Sequence, residues 1–222
     1  MIDTLTASTK ALCQFSQHFP NSHNAKLYDT PLGIMLGLIS ADGLHHLTFI
    51  DDPTLPTILK QWQANTAMNS PDALLLQQHQ HLAMWLHTYF SGQTTSPPPM
   101  NLAPQGTPFQ QHVWQALCHI PYGTTWTYQQ QAQWIGREKA FRAVGSANGC
   151  NPIVVAIPCH RVVAKGNGLG GYTGGLWRKS ALLHLERTRE PLPTLPEYQT
   201  LDQAIQKLMP ADVLSCFRLK AL

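Results

Sequence analysis

The first hundred residues contain two kinds of apolar pattern, one typical of strands and, further along, one typical of helices. Residues 27–39 and 44–50 are rich in apolar and β-branched side chains and flank an Asp42-Gly43 pair, a strong hairpin signal. Further along, residues 54–65 and 72–90 carry apolar side chains at helical spacing. In the second segment these are Leu75, Leu82, Trp85, Leu86 and Tyr89. The pattern predicts two strands and then two helices, ended by the linker-like stretch SGQTTSPPP.

Two helix starts follow the linker, each with the signature of a capping box. Thr107 is followed by Pro108 and by Gln110 three residues on, and Thr127 is followed by Gln130. A third helix is predicted in REKAFRAVGSANG, residues 137–149, after a stop at Gly136. Two short helices joined by a tight turn with glycine are typical of a helix-turn-helix, although such pairs also occur in proteins that do not bind DNA.

The segment NPIVVAIPCHRVV, residues 151–163, contains the most unusual pattern. A β-branched run predicts a buried strand that ends at Pro158, and Cys159, His160 and Arg161 follow directly. A cysteine attacks only as its thiolate, so a nearby base must take its proton. Adjacent residues on an extended chain point to opposite faces, so contact between Cys159 and His160 requires a bend or a bridging water. From the residues alone, Cys159 is a nucleophile, a buried core residue or half of a hydrolase dyad.

Composition narrows the class of protein. The chain has 222 residues and a net charge of +3, which is unevenly spread: residues 105–190 carry +6 and residues 1–104 carry −3. The basic part is where a polyanion would bind. No apolar run approaches the ~20 residues that span a bilayer, and the N-terminus lacks the features of a signal peptide, so a cytoplasmic protein is expected.

The five cysteines do not indicate a disulfide framework, because they are odd in number and show no CxxC pair. Cys13, His18 and His23 lie close together in sequence, but no pair has the spacing of a zinc ribbon or finger. Neither a metal nor a cofactor is predicted.

Several blocks together resemble the O6-alkylguanine-DNA alkyltransferases, also called methylated-DNA–protein-cysteine methyltransferases. NPIVVAIPCHRVV resembles the active-site signature of that family. GTPFQQHVWQALCHIPYGTTWTYQQQA, FRAVGSANGCNP, GYTGGLWRK and LLHLE resemble further family blocks, in the same order and at family spacing. The resemblance is strong over about residues 105–187 and weaker back to about residue 27.

The resemblance implies a chemistry for each matching residue. Cys159 would accept an alkyl group from O6 of a damaged guanine, once and irreversibly. His160 would act as base through a water, and Glu186 would orient it. Asn151 would hold the active-site turn and bond the histidine, and Lys179 would assist Tyr128, which polarises the guanine and helps to rotate the nucleotide out of the duplex.

The resemblance also implies contacts with the substrate pocket and with DNA. The implied pocket comprises Pro158, Val162, Tyr172, Thr173 and Trp177. Arg142 would enter the duplex and fill the space left by the flipped base. The remaining implied DNA contacts come from Tyr128, Thr127, Arg137, Lys139, Ala143 and Gly145. The partner would be double-stranded DNA containing O6-alkylguanine, with O4-alkylthymine as a second substrate, and the protein would be a monomer.

The implied fold is α/β with two domains. Residues 1–103 would form a ribonuclease-H-like α/β domain with a small antiparallel sheet. Residues 104–190 would form a mostly helical, winged-helix-like domain with the helix-turn-helix and the active site. Residues 191–222 are an extension without a family counterpart, in which Leu201, Ile205 and Leu208 share one helical face and predict a docked helix.

Three readings compete with repair. A damage sensor related to the family would bind alkylated DNA without repairing it, but such relatives replace the acceptor cysteine, and this chain has Cys159. A transcriptional regulator would use the helix-turn-helix alone, and a cysteine hydrolase would use Cys159 and His160. The chain also departs from the family in having Thr173 where serine is frequent and a second thiol, Cys150, beside Asn151.

Overall fold

The computed structural model describes residue 10 and residues 24–64, 73–166 and 168–192. The described chain divides into two compact units. One contains residues from 24–87 and 98–103, and the other contains residues 88–97 and 104–192. Residues 88–90, which end the helix before the linker-like stretch, therefore belong to the second unit. None of the described helices is long and apolar enough to cross a membrane.

The first unit is built on a three-stranded antiparallel sheet in the order β1-β2-β3. Its strands are β1 (Ala25–Tyr28), β2 (Met35–Ser40) and β3 (Gly43–Phe49). The predicted hairpin at Asp42-Gly43 is confirmed, since Ser40 pairs with Gly43. Helices α1 (Leu55–Ala64) and α2 (Ala73–Phe90) confirm the two predicted helices to within one residue at each end.

The prediction of one strand over residues 27–39 is wrong. The chain reverses between β1 and β2 in a turn in which the Gly33 N–H donates to the carbonyl of Thr30 at 3.0 Å. Gly33 has φ of 108°, a left-handed conformation that glycine tolerates, and Pro31 supplies no N–H for a ladder. An apolar run that is long enough for one strand thus forms two.

The second unit contains four helices and a short parallel pair of strands. Helices α3 (Pro108–Cys118) and α4 (Tyr128–Trp134) start at the predicted capping boxes, both of which are confirmed. Helices α5 (Phe141–Gly149) and α6 (Leu176–Thr188) follow. β4 (Trp126–Thr127) pairs in parallel with β5 (Val162–Val163). Because Tyr128 directly follows β4 and Cys159 precedes β5 by three residues, this pairing brings the start of α4 to the cysteine turn.

The third helix of this unit is shorter than predicted. Residues Glu138–Ala140 form a 3₁₀ turn, and the α-helix begins only at Phe141. Arg137 has ψ of 55°, and its carbonyl accepts from Ala140 N at 2.7 Å, which tightens the chain before the helix. Arg142 therefore lies on α5, whereas Arg137 and Lys139 precede it.

The described residues leave some predictions untested. The ribonuclease-H-like and helix-turn-helix assignments stay predictions, as do the domain boundaries. The described residues hold no group of three or more His, Cys, Asp or Glu side chains that could bind a metal ion. Cys13, His18 and His23 and the helix expected near residues 201–208 lie outside the described residues.

Candidate active site

The cysteine lies in a folded turn and not at the end of a strand. Residues 154–156 form turns, in which Ile157 N donates to the carbonyl of Ile153 at 2.9 Å. The predicted buried strand is therefore wrong: the β-branched side chains are buried, but their backbones turn. Val155 has φ of 71°, a costly conformation for a β-branched residue. Surrounding contacts must hold it in place.

Asn151 supplies several of those contacts. Its carbonyl oxygen accepts from Ile153 N at 3.0 Å. Its amide donates to the carbonyl of Ile157 at 2.7 Å and to Cys159 Sγ at 3.2 Å. The side chain thus closes the turn, as expected. The expected hydrogen bond to His160 is not present among the described residues, and the amide contacts the thiol instead.

The bend that a Cys159–His160 arrangement requires is a 3₁₀ turn over Cys159–Arg161. Cys159 and His160 are both buried. No hydrogen bond joins the two side chains within the described part of the chain. His160 Nε2 lies 2.9 Å from Glu186 Oε1, whereas His160 Nδ1 makes no hydrogen bond to any described residue. Nδ1 is therefore the ring nitrogen that can still accept a proton.

Glu186 is the centre of a dense cluster of donors. The guanidinium of Arg161 contacts both carboxylate oxygens, at 2.8 Å from Nε to Oε2 and 2.9 Å from Nη2 to Oε1. The backbone N–H of Gly123 donates to Oε2 at 3.1 Å, and the Tyr89 hydroxyl donates to Oε1 at 2.6 Å. Burial alone would raise the pKa of Glu186, but hydrogen bonds and charges from His160 and Arg161 hold that pKa well below its usual range. Glu186 is therefore a carboxylate at any physiological pH.

Burial also acts on the two neighbouring titratable groups. It raises the pKa of the Cys159 thiol, while the hydrogen bond from Asn151 and the charge of Lys179 lower it. It lowers the pKa of His160, and the hydrogen bond to Glu186 opposes that change. The net effect is a raised pKa for the thiol, so it needs a base to lose its proton, and a neutral imidazole is a suitable acceptor.

Lys179 fixes the other side of the site. Its ammonium is fully buried and donates to the carbonyls of Val162 at 2.5 Å and Gly171 at 2.9 Å. Burial lowers the pKa of Lys179 to about 8, and the charge of Cys159 opposes that shift. Lys179 thus places positive charge near the cysteine and holds β5 against the glycine-rich loop 170–175, here called the lid.

The lid is also hydrogen-bonded to the start of α4 and to the end of α5. The Gly171 N–H donates to the Tyr128 hydroxyl at 3.2 Å, and the Thr173 hydroxyl donates to the carbonyl of Gly149 at 2.9 Å. A Cβ at Gly170 would lie 2.8 Å from the Tyr128 ring, so only glycine permits this approach. The threonine that departs from the family pattern therefore binds the end of α5 through its hydroxyl.

The other expected pocket residues differ in how deeply they are buried. Pro158 and Val162 are buried beside Cys159 in sequence, and the Tyr172 hydroxyl is buried without a hydrogen bond to described residues. Burial raises the pKa of Tyr172 well above its usual value, which keeps it a donor. Trp177 is exposed, with the Arg178 guanidinium 4.6 Å from its ring centroid.

The expected DNA contacts lie on exposed parts of the helical unit. Arg142 and Ala143 are exposed on α5, and Gly145 faces the Tyr128 ring, which lies 3.5 Å from the position of a Cβ there. Arg137 and Lys139 are exposed before α5. The Thr127 hydroxyl accepts from Gln130 N at 3.2 Å, so its first role is to cap α4.

Sequence reasoning missed three groups of this site. Arg161 has no predicted role in the site, yet its guanidinium forms an ion pair with Glu186. Gly123 lies in a turn, and nothing in the sequence there indicates that its backbone N–H donates to Glu186. Tyr89 was assigned to the apolar face of a helix, and nothing in its neighbourhood indicates that its hydroxyl reaches residue 186.

Comparison with known proteins agrees with this arrangement. The family model described as the DNA-binding domain of 6-O-methylguanine DNA methyltransferase matches residues 108–188. A methylated-DNA–protein-cysteine methyltransferase of Methanosarcina barkeri is 41% identical over 160 residues, which is 72% of this chain and 94% of that protein. Its counterpart in Haemophilus influenzae is 39% identical over 160 residues, covering 72% and 84%.

Solved structures show the same likeness. The O6-methylguanine methyltransferase of Mycobacterium tuberculosis aligns with a TM-score of 0.63 and 36% identity, over 77% of this chain and 96% of that one. The OGT protein of M. tuberculosis in complex with DNA aligns with a TM-score of 0.63 and 36% identity, over 75% and 94%. With a thiol, a histidine and a carboxylate held together by these matching segments, the chain belongs to the methylated-DNA–protein-cysteine methyltransferase family.

Proposed function

We propose that this protein repairs DNA by direct reversal, transferring an alkyl group from O6 of an alkylated guanine to Cys159. The observation that carries the proposal is the buried Cys159 thiol, which contacts Asn151 and lies beside a neutral histidine whose Nδ1 has no hydrogen bond to described residues. The reaction class needs such a thiol, whose proton is taken as sulfur attacks carbon.

The alkyl transfer from guanine to Cys159 needs no cofactor. The Cys159 proton passes through a water to His160 Nδ1, and Glu186 stabilises the imidazolium that forms. Sulfur forms a bond to the alkyl carbon as the bond from that carbon to O6 breaks. The electron pair of the broken bond remains on O6 of the guanine, and the guanine then takes up a proton. The product on the protein is a thioether, a poor leaving group, so each molecule acts once.

The base must leave the duplex to reach the thiol, since the cysteine is buried. Arg142 would occupy the vacated space, and Tyr128, next to the lid, would assist rotation and polarise the base. Small residues such as Ala143 and Gly145 would let α5 approach the minor groove. Arg137, Lys139 and Thr127 would contact the backbone and add affinity that is independent of sequence.

The lid and its neighbours would form the pocket for the base. The backbone of Cys159 and Val162 would accept from its amino group, while a lid N–H near Tyr172 and Thr173 would face O6. Pro158 and Trp177 would complete the walls, Lys179 would assist Tyr128, and O4-alkylthymine would be a second substrate. We place this activity in a cytoplasmic monomer acting on double-stranded DNA.

Mass spectrometry after incubation with a duplex containing O6-methylguanine tests the proposal. One methyl group per molecule, mapped to the peptide with Cys159, is expected. Cys159→Ser should show none and still bind the duplex, since affinity comes from helices and phosphate contacts. Cys150→Ser is the matched control, because Cys150 is an exposed free thiol next to Asn151, and it should be methylated like the wild type. Methylation of Cys150 or none at all would refute the proposal.

A further inference from the structure

Tyr89 contacts the catalytic cluster from a distant part of the sequence. It lies in the last turn of α2, and residues 88–97 belong to the same compact unit as the cysteine turn. Its side chain is 2% exposed. Its hydroxyl lies 2.6 Å from Glu186 Oε1 and 3.4 Å from His160 Nε2. The matched DNA-binding domain begins at residue 108 and so does not contain this tyrosine.

The geometry fixes which atom donates to which. Glu186 is a carboxylate and can only accept, so the Tyr89 hydroxyl donates to it. Burial and the charge of Glu186 raise the pKa of Tyr89 well above its usual value, so the phenol keeps its proton at physiological pH. His160 Nε2 also lies within donating distance of Oε1 and therefore carries the ring proton of the neutral imidazole. Nδ1 then holds the lone pair.

Other charged and titratable groups also face His160. They are Glu186 and Lys179 from α6, Arg161 and Cys159 from its own turn, and Tyr89 from α2. The Tyr122 ring packs against the Arg161 guanidinium, which lies 5.6 Å from the ring centroid, but its hydroxyl makes no hydrogen bond to this group of described side chains. Of the two oxygens within reach of His160 Nε2, Glu186 Oε1 is nearer, at 2.9 Å, and the Tyr89 hydroxyl lies at 3.4 Å.

We propose that Tyr89 is a positioning residue for alkyl transfer: by donating to Glu186 it orients the carboxylate and weakens its pull on the imidazole, which keeps His160 neutral with its lone pair on Nδ1. The proposal rests on the proposed function for the role of His160 as base. Without the hydroxyl, Oε1 would have one donor fewer and would be a stronger acceptor, so the imidazolium would be favoured.

Tyr89→Phe tests this, with Tyr122→Phe as the matched control. The Tyr122 ring packs edge-on against Tyr89 with centroids 6.0 Å apart, but its hydroxyl has no hydrogen bond to described residues. Nitrogen-15 NMR of the histidine rings reports the tautomer and the pKa of His160. The pH dependence of Cys159 alkylation by iodoacetamide, mapped by peptide mass, reports the reactivity of the thiol. Neither readout requires DNA or alkyl transfer, so both stay informative if the proposed function fails.

In Tyr89→Phe the pKa of His160 should rise by roughly 0.5–1 unit, a fraction of the effect of a full neighbouring charge. The pH below which His160 is protonated and cannot take the thiol proton should rise by the same amount, so the fall of Cys159 alkylation at low pH should move to higher pH. Tyr122→Phe should leave both unchanged. Equal profiles and equal tautomers in the two variants would overturn the proposal and leave Tyr89 with a packing role only.

A second substitution covers the case in which Tyr89→Phe does not fold. Difluorotyrosine at position 89 retains the shape of the ring and is a stronger donor, so it should lower the pKa of His160, the opposite sign. A pKa of His160 that does not move with the acidity of this phenol would equally overturn the proposal.

Discussion

The side-chain amide of Asn151 donates to Cys159 Sγ at 3.2 Å while the same side chain closes the turn that holds the thiol. A donor at sulfur favours the thiolate, and burial opposes it. Asn151 therefore links the shape of the turn to the reactivity of the cysteine.

Asn151→Asp should raise the pKa of Cys159, because it replaces a donor at sulfur with a negative charge while retaining the acceptor for Ile153 N. Each unit of increase slows reaction through the thiolate about tenfold at a fixed pH below the pKa. The pH dependence of Cys159 alkylation by iodoacetamide measures the shift. Asn148→Asp is the matched control, since Asn148 is equally buried but pairs with Gln131. If both variants changed the pKa of the Cys159 thiol equally, the hydrogen bond from Asn151 to Sγ would have no specific role.

Glu186→Gln should slow transfer to free O6-benzylguanine by roughly 10²–10⁴, the usual contribution of general base catalysis. It should also move the pH–rate profile to higher pH, where thiolate forms unaided. A free base removes DNA binding from the rate. An unchanged rate and profile would show that Cys159 is activated by another group.

The same variant should lose stability in a pH-dependent manner. Hydrogen bonds and charges from His160 and Arg161 lower the pKa of Glu186 in the folded state. A depressed carboxyl pKa stabilises the fold above the unfolded pKa, about 4.3, and this contribution is lost as the pH falls towards the folded value. The difference in free energy of unfolding between wild type and Glu186→Gln should therefore be largest near neutrality and shrink below about pH 4. A difference that is constant from pH 7 to pH 3, measured by urea denaturation, would contradict this account.

Much of the local structure was predictable because it depends on neighbouring residues. The capping boxes at Thr107–Gln110 and Thr127–Gln130 are confirmed, since threonine and glutamine at that spacing satisfy each other's backbone donors. The buried strand predicted to end at Pro158 is wrong, because the contacts of Asn151 bend a run that β-propensity alone would extend. Burial was predicted correctly there, but the backbone path was not.

The composition of the site was only partly predictable. The pairing of His160 with Glu186, 26 residues apart, was expected from family resemblance and is present at 2.9 Å. Tyr89 lies 97 residues from Glu186 in sequence. No periodicity or spacing encodes such a contact, because it depends on the packing of the whole unit.

Arg142→Ala should slow repair of a duplex far more than reaction with free O6-benzylguanine. Arg142 is exposed on α5, and its guanidinium lies 5.9 Å from the centroid of the Phe141 ring. A free base needs no flipping, and base flipping costs a few kcal/mol that an inserted side chain offsets. Lys139→Ala is the control, because loss of a phosphate contact should weaken binding uniformly and lower its salt dependence. Equal slowing with both substrates would make Arg142 a structural residue.

The central claim is that the protein is both the reagent and the final carrier of the alkyl group. Titration of a fixed amount of protein with excess duplex containing O6-methylguanine tests it most directly, with the restored guanine measured after the reaction has stopped. The account predicts a plateau at one lesion repaired per molecule of active protein, with no further repair on longer incubation and full loss in Cys159→Ser. Continued repair beyond that ratio would show turnover and contradict the account, as would repair by Cys159→Ser.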